Sequence, residues 1–161
     1  MRIPFIAWLL QGIPEAIGIA AVMYAVAGYG LPWRSILPTG LIFGVFFYLI
    51  RWLPIAFGIN TLINFLFTIL VFKKITSCNL SIAIRSGLAV LVTVVIGENV
   101  FIKFLVLVTG LSPEYIYNNL WLRIIAGWPN VTFLFVVAVA ATRIVNRKKT
   151  GKGAGQVGEY Q

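Results

Sequence analysis

The chain has 161 residues, 60% of them apolar and only 11% charged, with a net charge of +9 and a mean hydropathy of +0.97. Soluble domains average about 25% charged residues, so a water-soluble fold of this size could not hide so much apolar surface. At ~20 residues per span there is room for about five or six membrane helices and none for a sizeable soluble catalytic module.

Met1-Arg2 followed by Ile3 to Leu10 opens like a secretion signal. No small-x-small cleavage site follows, and the apolar run resumes after Pro14-Glu15, so an uncleaved first span is expected over about residues 4 to 29, kinked at Pro14 and broken by Gly28 to Pro32. A second span is expected over about 36 to 56, ending at Trp52-Leu53-Pro54, an interfacial aromatic followed by a helix stop. Within it, Gly40-Leu41-Ile42-Phe43-Gly44 has the small-xxx-small spacing that lets two helices approach closely, inside one chain or across a homodimer. The third, over about 59 to 72, ends at Lys73-Lys74. Its fourteen residues make only ~21 Å of helix, so it must begin nearer Pro54 or fall short of the ~30 Å core.

The fourth span is expected from about 80 to 108, ended by Thr109 to Pro113. The connection to residue 121 offers Ser112-Pro113-Glu114 as a helix start and Tyr115, Tyr117 and Trp121 as interfacial aromatics, which predicts a short amphipathic helix. A fifth span over about 122 to 145, kinked at Pro129, completes a transmembrane domain of residues 1–145, and 146–161 is expected to be a basic, disordered cytoplasmic tail. The expected fold is all-α, a polytopic transmembrane helical bundle of about five spans with one short interfacial helix. No internal repeat is seen, which disfavours inverted-repeat transporter folds.

Five of the thirteen Lys and Arg lie in the last nineteen residues, beside a span, so membrane lipids are a simpler partner for the charge than nucleic acid. Placing this tail in the cytoplasm also puts Lys73-Lys74 and Arg34 inside, and it puts the Lys- and Arg-free stretch 109–121 outside the inner (plasma) membrane. Arg2 and Arg123 run against the pattern.

Chemistry is restricted by what is missing. With no His, no Asp and the single Cys78, imidazole metal sites, Ser-His-Asp triads, thiolate metal sites and internal disulfides are excluded, so neither cofactor nor metal nor enzymatic activity is expected. Cys78 suits a small loop residue better than a lipidation site. What remains is a set of polar residues inside apolar runs, where each charge costs about 2.5 to 3.5 kcal/mol unless paired or hydrated. Glu15, Arg51, Glu98 and Lys103 all fall in the outer half of the bilayer, and Asn60, Asn64, Asn99 and Asn130 fall at similar depths. Together they could line a ligand cavity or act as internal glue between spans. Arg51 and Lys103 have the further option of snorkelling to the headgroups, which the shorter Glu15 and Glu98 lack. Trp8, Trp33, Trp52, Trp121 and Trp128 lie mostly near span ends and are expected to be interfacial anchors before ligand contacts.

Three segments carry a family resemblance: Gln11-Gly12-Ile13-Pro14-Glu15; Arg51-Trp52-Leu53-Pro54-Ile55-Ala56-Phe57-Gly58-Ile59-Asn60-Thr61-Leu62; and Gly110-Leu111-Ser112-Pro113 leading to Leu122-Arg123-Ile124-Ile125-Ala126-Gly127-Trp128-Pro129. Their pattern resembles the N-terminal multi-span membrane region of agr-type peptide-sensing histidine kinases and related orphan membrane proteins of Firmicutes. Those kinases continue into a phosphoacceptor-histidine helix and an ATP-binding domain, which this sequence, without any histidine, does not contain. The resemblance implies a free-standing bacterial sensor or signalling-accessory domain, working through a histidine kinase or other signalling partner and assigning Glu15, Arg51 and Asn60 to a ligand-responsive outer half. The alternative is a small transport component, the substrate-binding subunit of an uptake system, using the same polar residues for carriage.

Overall fold

A computed structural model of the chain describes residues 5–53, 57–110, 112, 115 and 119–156. It is all-helical among those residues, and five helices are long and apolar enough to cross a membrane. α1 is a continuous helical run made of Phe5–Ala7, a wide π-helical segment Trp8–Gly12 and the regular helix Ile13–Val26. α2 is Trp33–Ile50, α3 Phe57–Thr76, α4 Leu80–Thr109 and α5 Leu120–Gln156.

The wide turn in α1 follows from Pro14. Its ring lacks an N–H and collides with the carbonyl four residues back, Leu10, and a π-helical turn opens the ladder where that collision would fall. Pro14 thus widens the span where a kink is expected.

α1 forms the middle of the bundle, packing against α2, α4 and α5, while α3 closes the far side against α2 and α4. Its composition explains the position. Ala16, Gly18, Ala20, Ala21 and Ala25 are all buried, and small side chains let neighbouring backbones come close where water does not drive helices together. Gly40 of α2 sits directly on the Ile17 backbone: a Cβ there would stand 2.6 Å from the Ile17 Cα. Gly44, one turn on, packs on Ala16 and Ile13. The small-xxx-small pair is therefore occupied within the chain, which removes it as a homodimer seam. α4 uses the same device twice, at Gly87 against Ile69 and Phe65 of α3 and at Gly97 against Asn130 of α5.

Aromatic contacts fill the seams that small residues leave. Phe46 and Phe67 stack between α2 and α3 with ring centroids 3.4 Å apart, and Tyr24 of α1 meets Phe72 of α3 edge-on at 5.1 Å. Large apolar side chains such as Leu70, Phe104, Leu107 and Val136 face outward, as a lipid-facing belt requires. Thr39, Thr76, Thr93, Thr109 and Thr142 each donate to the carbonyl four residues earlier, so these hydroxyls need no water.

Several boundaries differ from expectation. α3 extends to Thr76 and includes Lys73-Lys74, giving twenty residues, ~30 Å, enough to cross the hydrocarbon. Basic residues suit a last helical turn, where they face the negative end of the dipole. α4 ends where expected, with Gly110 in the left-handed region (φ 65°) and its N–H on the Val106 carbonyl. α5 starts behind Asn119, whose Oδ1 accepts from the backbone N–H groups of Trp121 and Leu122. At its other end the helix runs past residue 145 to Gln156, so residues 146–156 are helical where an irregular tail is expected. Arg147, Lys148 and Lys149 are good helix formers that cheaply extend a helix already nucleated by a span, and the helix then continues through Gly151, Gly153 and Gly155 against their low propensity. The interfacial helix expected between 109 and 121 falls largely outside the described residues.

Candidate functional site

The polar residues converge where α1, α4 and α5 meet. α1 and α5 run parallel, and Gln11 lies on Gly127, Glu15 on Asn130 and Gly18 on Leu134, a register that advances by one turn at each step. Asn130 is only 5% exposed. Its Nδ2 donates to Glu15 Oε1 at 3.2 Å, and its Oδ1 points at the Gly97 backbone without accepting a hydrogen bond among the described residues. A buried amide with an open acceptor is held in place by its surroundings, since leaving such a group unpaired costs about 1–3 kcal/mol. Glycine at 97 makes room for it, and glycine at 127 does the same for Gln11.

Glu15 is half-buried, and both Glu98 and Arg51 lie within electrostatic range of its carboxylate. Arg51 also acts on Glu98. The two acids and one base thus share one side and one end of the bundle, although Glu98 and Arg51 are both exposed on its surface. Arg51 sits in the turn that follows α2.

The remaining candidates are distributed. Asn60 and Asn64 are one turn apart on α3 and bond to each other, Asn64 Nδ2 to Asn60 Oδ1 at 3.2 Å, and Asn64 Oδ1 is buried without a partner among the described residues. Asn99 is exposed and donates to the Val95 carbonyl of its own helix. Lys103 is exposed as well. The eight candidates do not share one cavity: Glu15 and Asn130 are joined, Asn60 and Asn64 form a second pair, and Glu98, Asn99, Lys103 and Arg51 lie on the surface, as the snorkelling option for Arg51 and Lys103 allows. The cause is rotation. The buried stripe of α4 is Ala83, Ser86, Gly87, Val90, Thr93 and Gly97, and residues 98, 99 and 103 lie off that stripe.

No family model, curated protein or solved structure matches the chain. The site stands on its own geometry.

Two participants escape sequence reasoning. Trp8, expected as an interfacial anchor, is half-buried and donates its indole N–H to the Gly44 carbonyl at 2.9 Å, with its ring 4.8 Å from Tyr48. Gln11, uncharged, packs on Gly127 one turn above the Glu15–Asn130 bond. The available signal was spacing: Trp8, Gln11 and Glu15 fall on one helical face, and Gly127, Asn130 and Leu134 on another. Among the described residues no cluster of His, Cys, Asp or Glu could hold a metal ion.

Proposed function

We propose that this multi-pass membrane protein is a sensor or signalling-accessory domain that takes a small or peptidic ligand at the Glu15–Asn130 end of its bundle. The observation that carries the proposal is the bond between Glu15 and Asn130, which ties the first span to the last in the same half of the bundle as Arg51, Glu98, Asn60 and Asn64. Asn130 leaves one buried acceptor unpaired there, and Gln11, Glu98 and Arg51 surround the same end with donors and charge. A ligand that competes for Glu15 or Asn130 changes how α1 and α5 are joined. The helix carrying Asn130 runs on to the basic end of the chain, where a histidine kinase or other signalling partner would receive the change. The membrane is the plasma membrane of a bacterium in this proposal, with the C-terminal basic residues on the cytoplasmic side.

The test is transcript profiling in the native cell of a deletion strain complemented with wild type, Glu15→Gln or Asn130→Leu. Sensing predicts that the deletion shifts a defined set of transcripts, that wild type restores it, and that both variants insert at normal levels but fail to restore it. An unchanged transcript profile in the deletion strain, with altered uptake of one solute instead, would assign the protein to transport. Full restoration by both variants would remove Glu15 and Asn130 from the site.

A further inference from the structure

On the other side of Asn130 along α5 lies a shallow, open groove of about 620 Å³ that runs along one face of that helix, every described lining residue belonging to α5. Its floor is apolar, Phe135, Val136, Val139 and Ala140, and Arg143 and Arg147 close the end nearest the chain's basic tail. From residue 132 to residue 147 the groove follows ~22 Å of helix, more than the ~15 Å of hydrocarbon in one leaflet. It therefore reaches from the middle of the membrane to headgroup level. Arg143 and Arg147 are both exposed and stand four residues apart on one helix face, a spacing that lets both guanidinium groups reach one ligand. The carboxylates among the described residues, Glu15 and Glu98, belong to the opposite half of the bundle and do not neutralise them.

We propose that this groove binds one phospholipid with an anionic headgroup, an acyl chain lying along Val136, Val139 and Ala140 and the phosphate held between Arg143 and Arg147. The length of the face and the order of its residues match that ligand: an apolar stretch first, then two planar donors able to fork onto phosphate oxygens where the bilayer becomes polar. Lysines further along, Lys148, Lys149 and Lys152, supply general attraction to an anionic surface. The lipid site is separate from the Glu15–Asn130 bond and does not depend on the sensing role.

Native mass spectrometry of the full chain in detergent tests this, titrating phosphatidylglycerol or phosphatidylcholine with identical acyl chains. The expected result is one phosphatidylglycerol bound about tenfold more tightly than phosphatidylcholine. Arg143→Gln with Arg147→Gln should abolish that preference. Val139→Trp, which fills the groove without changing charge, should lose the first bound lipid, and Lys148→Gln with Lys149→Gln and Lys152→Gln should keep it. Equal binding of the two lipids by wild type overturns the proposal whatever the variants do. So does a preference that survives the double arginine change, that disappears with the lysines alone, or that is replaced by a dimer carrying no lipid.

Discussion

Asn130 is held between a carboxylate on α1 and a glycine on α4, so the residue facing it matters as much as the residue it bonds. Gly97→Ala puts a methyl group where the Asn130 side chain now lies, and the amide must move off Glu15 or α4 and α5 must separate. The expected cost is about 1–3 kcal/mol, read as a lower unfolding midpoint in detergent, while Ala at the exposed neighbour Val100 should leave the midpoint unchanged. This contrast shows what sequence makes legible at the scale of single residues. Glu15 and Asn130 stand out because a polar group inside an apolar run needs a partner, and counting residues from the span ends puts them at one depth. Depth says nothing about rotation. Glu98, Asn99 and Lys103 have suitable depth and turn outward, because the small residues Ala83, Gly87 and Gly97 decide which face of α4 is buried. Gln11 has no charge to draw notice, although one turn separates it from Glu15.

At the scale of elements, the contact between α1 and α2 is backbone on backbone. Gly40→Val drives a branched side chain into the Ile17 Cα and cannot be relieved by a rotamer change, whereas Gly44→Ala meets Ala16 and Ile13 at ordinary contact distance. The first substitution should lower the unfolding midpoint sharply, by about 3 kcal/mol or more, and the second by less than about 1 kcal/mol. Thermal melts in the same detergent measure the difference; equal effects would mean that Gly40 is not at a close crossing. The glycine pair was readable as a helix seam because its spacing is a property of the helix itself. Its partner was not readable, since one sequence pattern serves an internal neighbour and a second copy equally well. The π-helical segment before Pro14 illustrates a related limit: proline announces a lost donor and a collision, but whether the helix bends or widens depends on what Trp8 and Gln11 must reach across the seam.

For the whole molecule, the α4 crossing on which the five-span topology depends places the 77–79 connection and residue 112 on opposite faces of the membrane. Asn79→Cys and Ser112→Cys, each made with Cys78→Ala, should react with a membrane-impermeant maleimide from opposite sides of sealed vesicles; labelling from the same side would contradict the five-span topology. The number of spans was legible because transfer into hydrocarbon depends on composition over ~20 residues and on little else. The length of α5 was not, because charges that end a span need not end a helix. That length has a mechanical meaning. From Asn130 to Gln156 the helix is ~39 Å long, so pivoting it by about 5° where it touches Glu15 swings its tip sideways by ~3 Å. A rearrangement too small to disturb the packing of the bundle becomes, at the far end of this lever, a shift as large as a hydrogen bond.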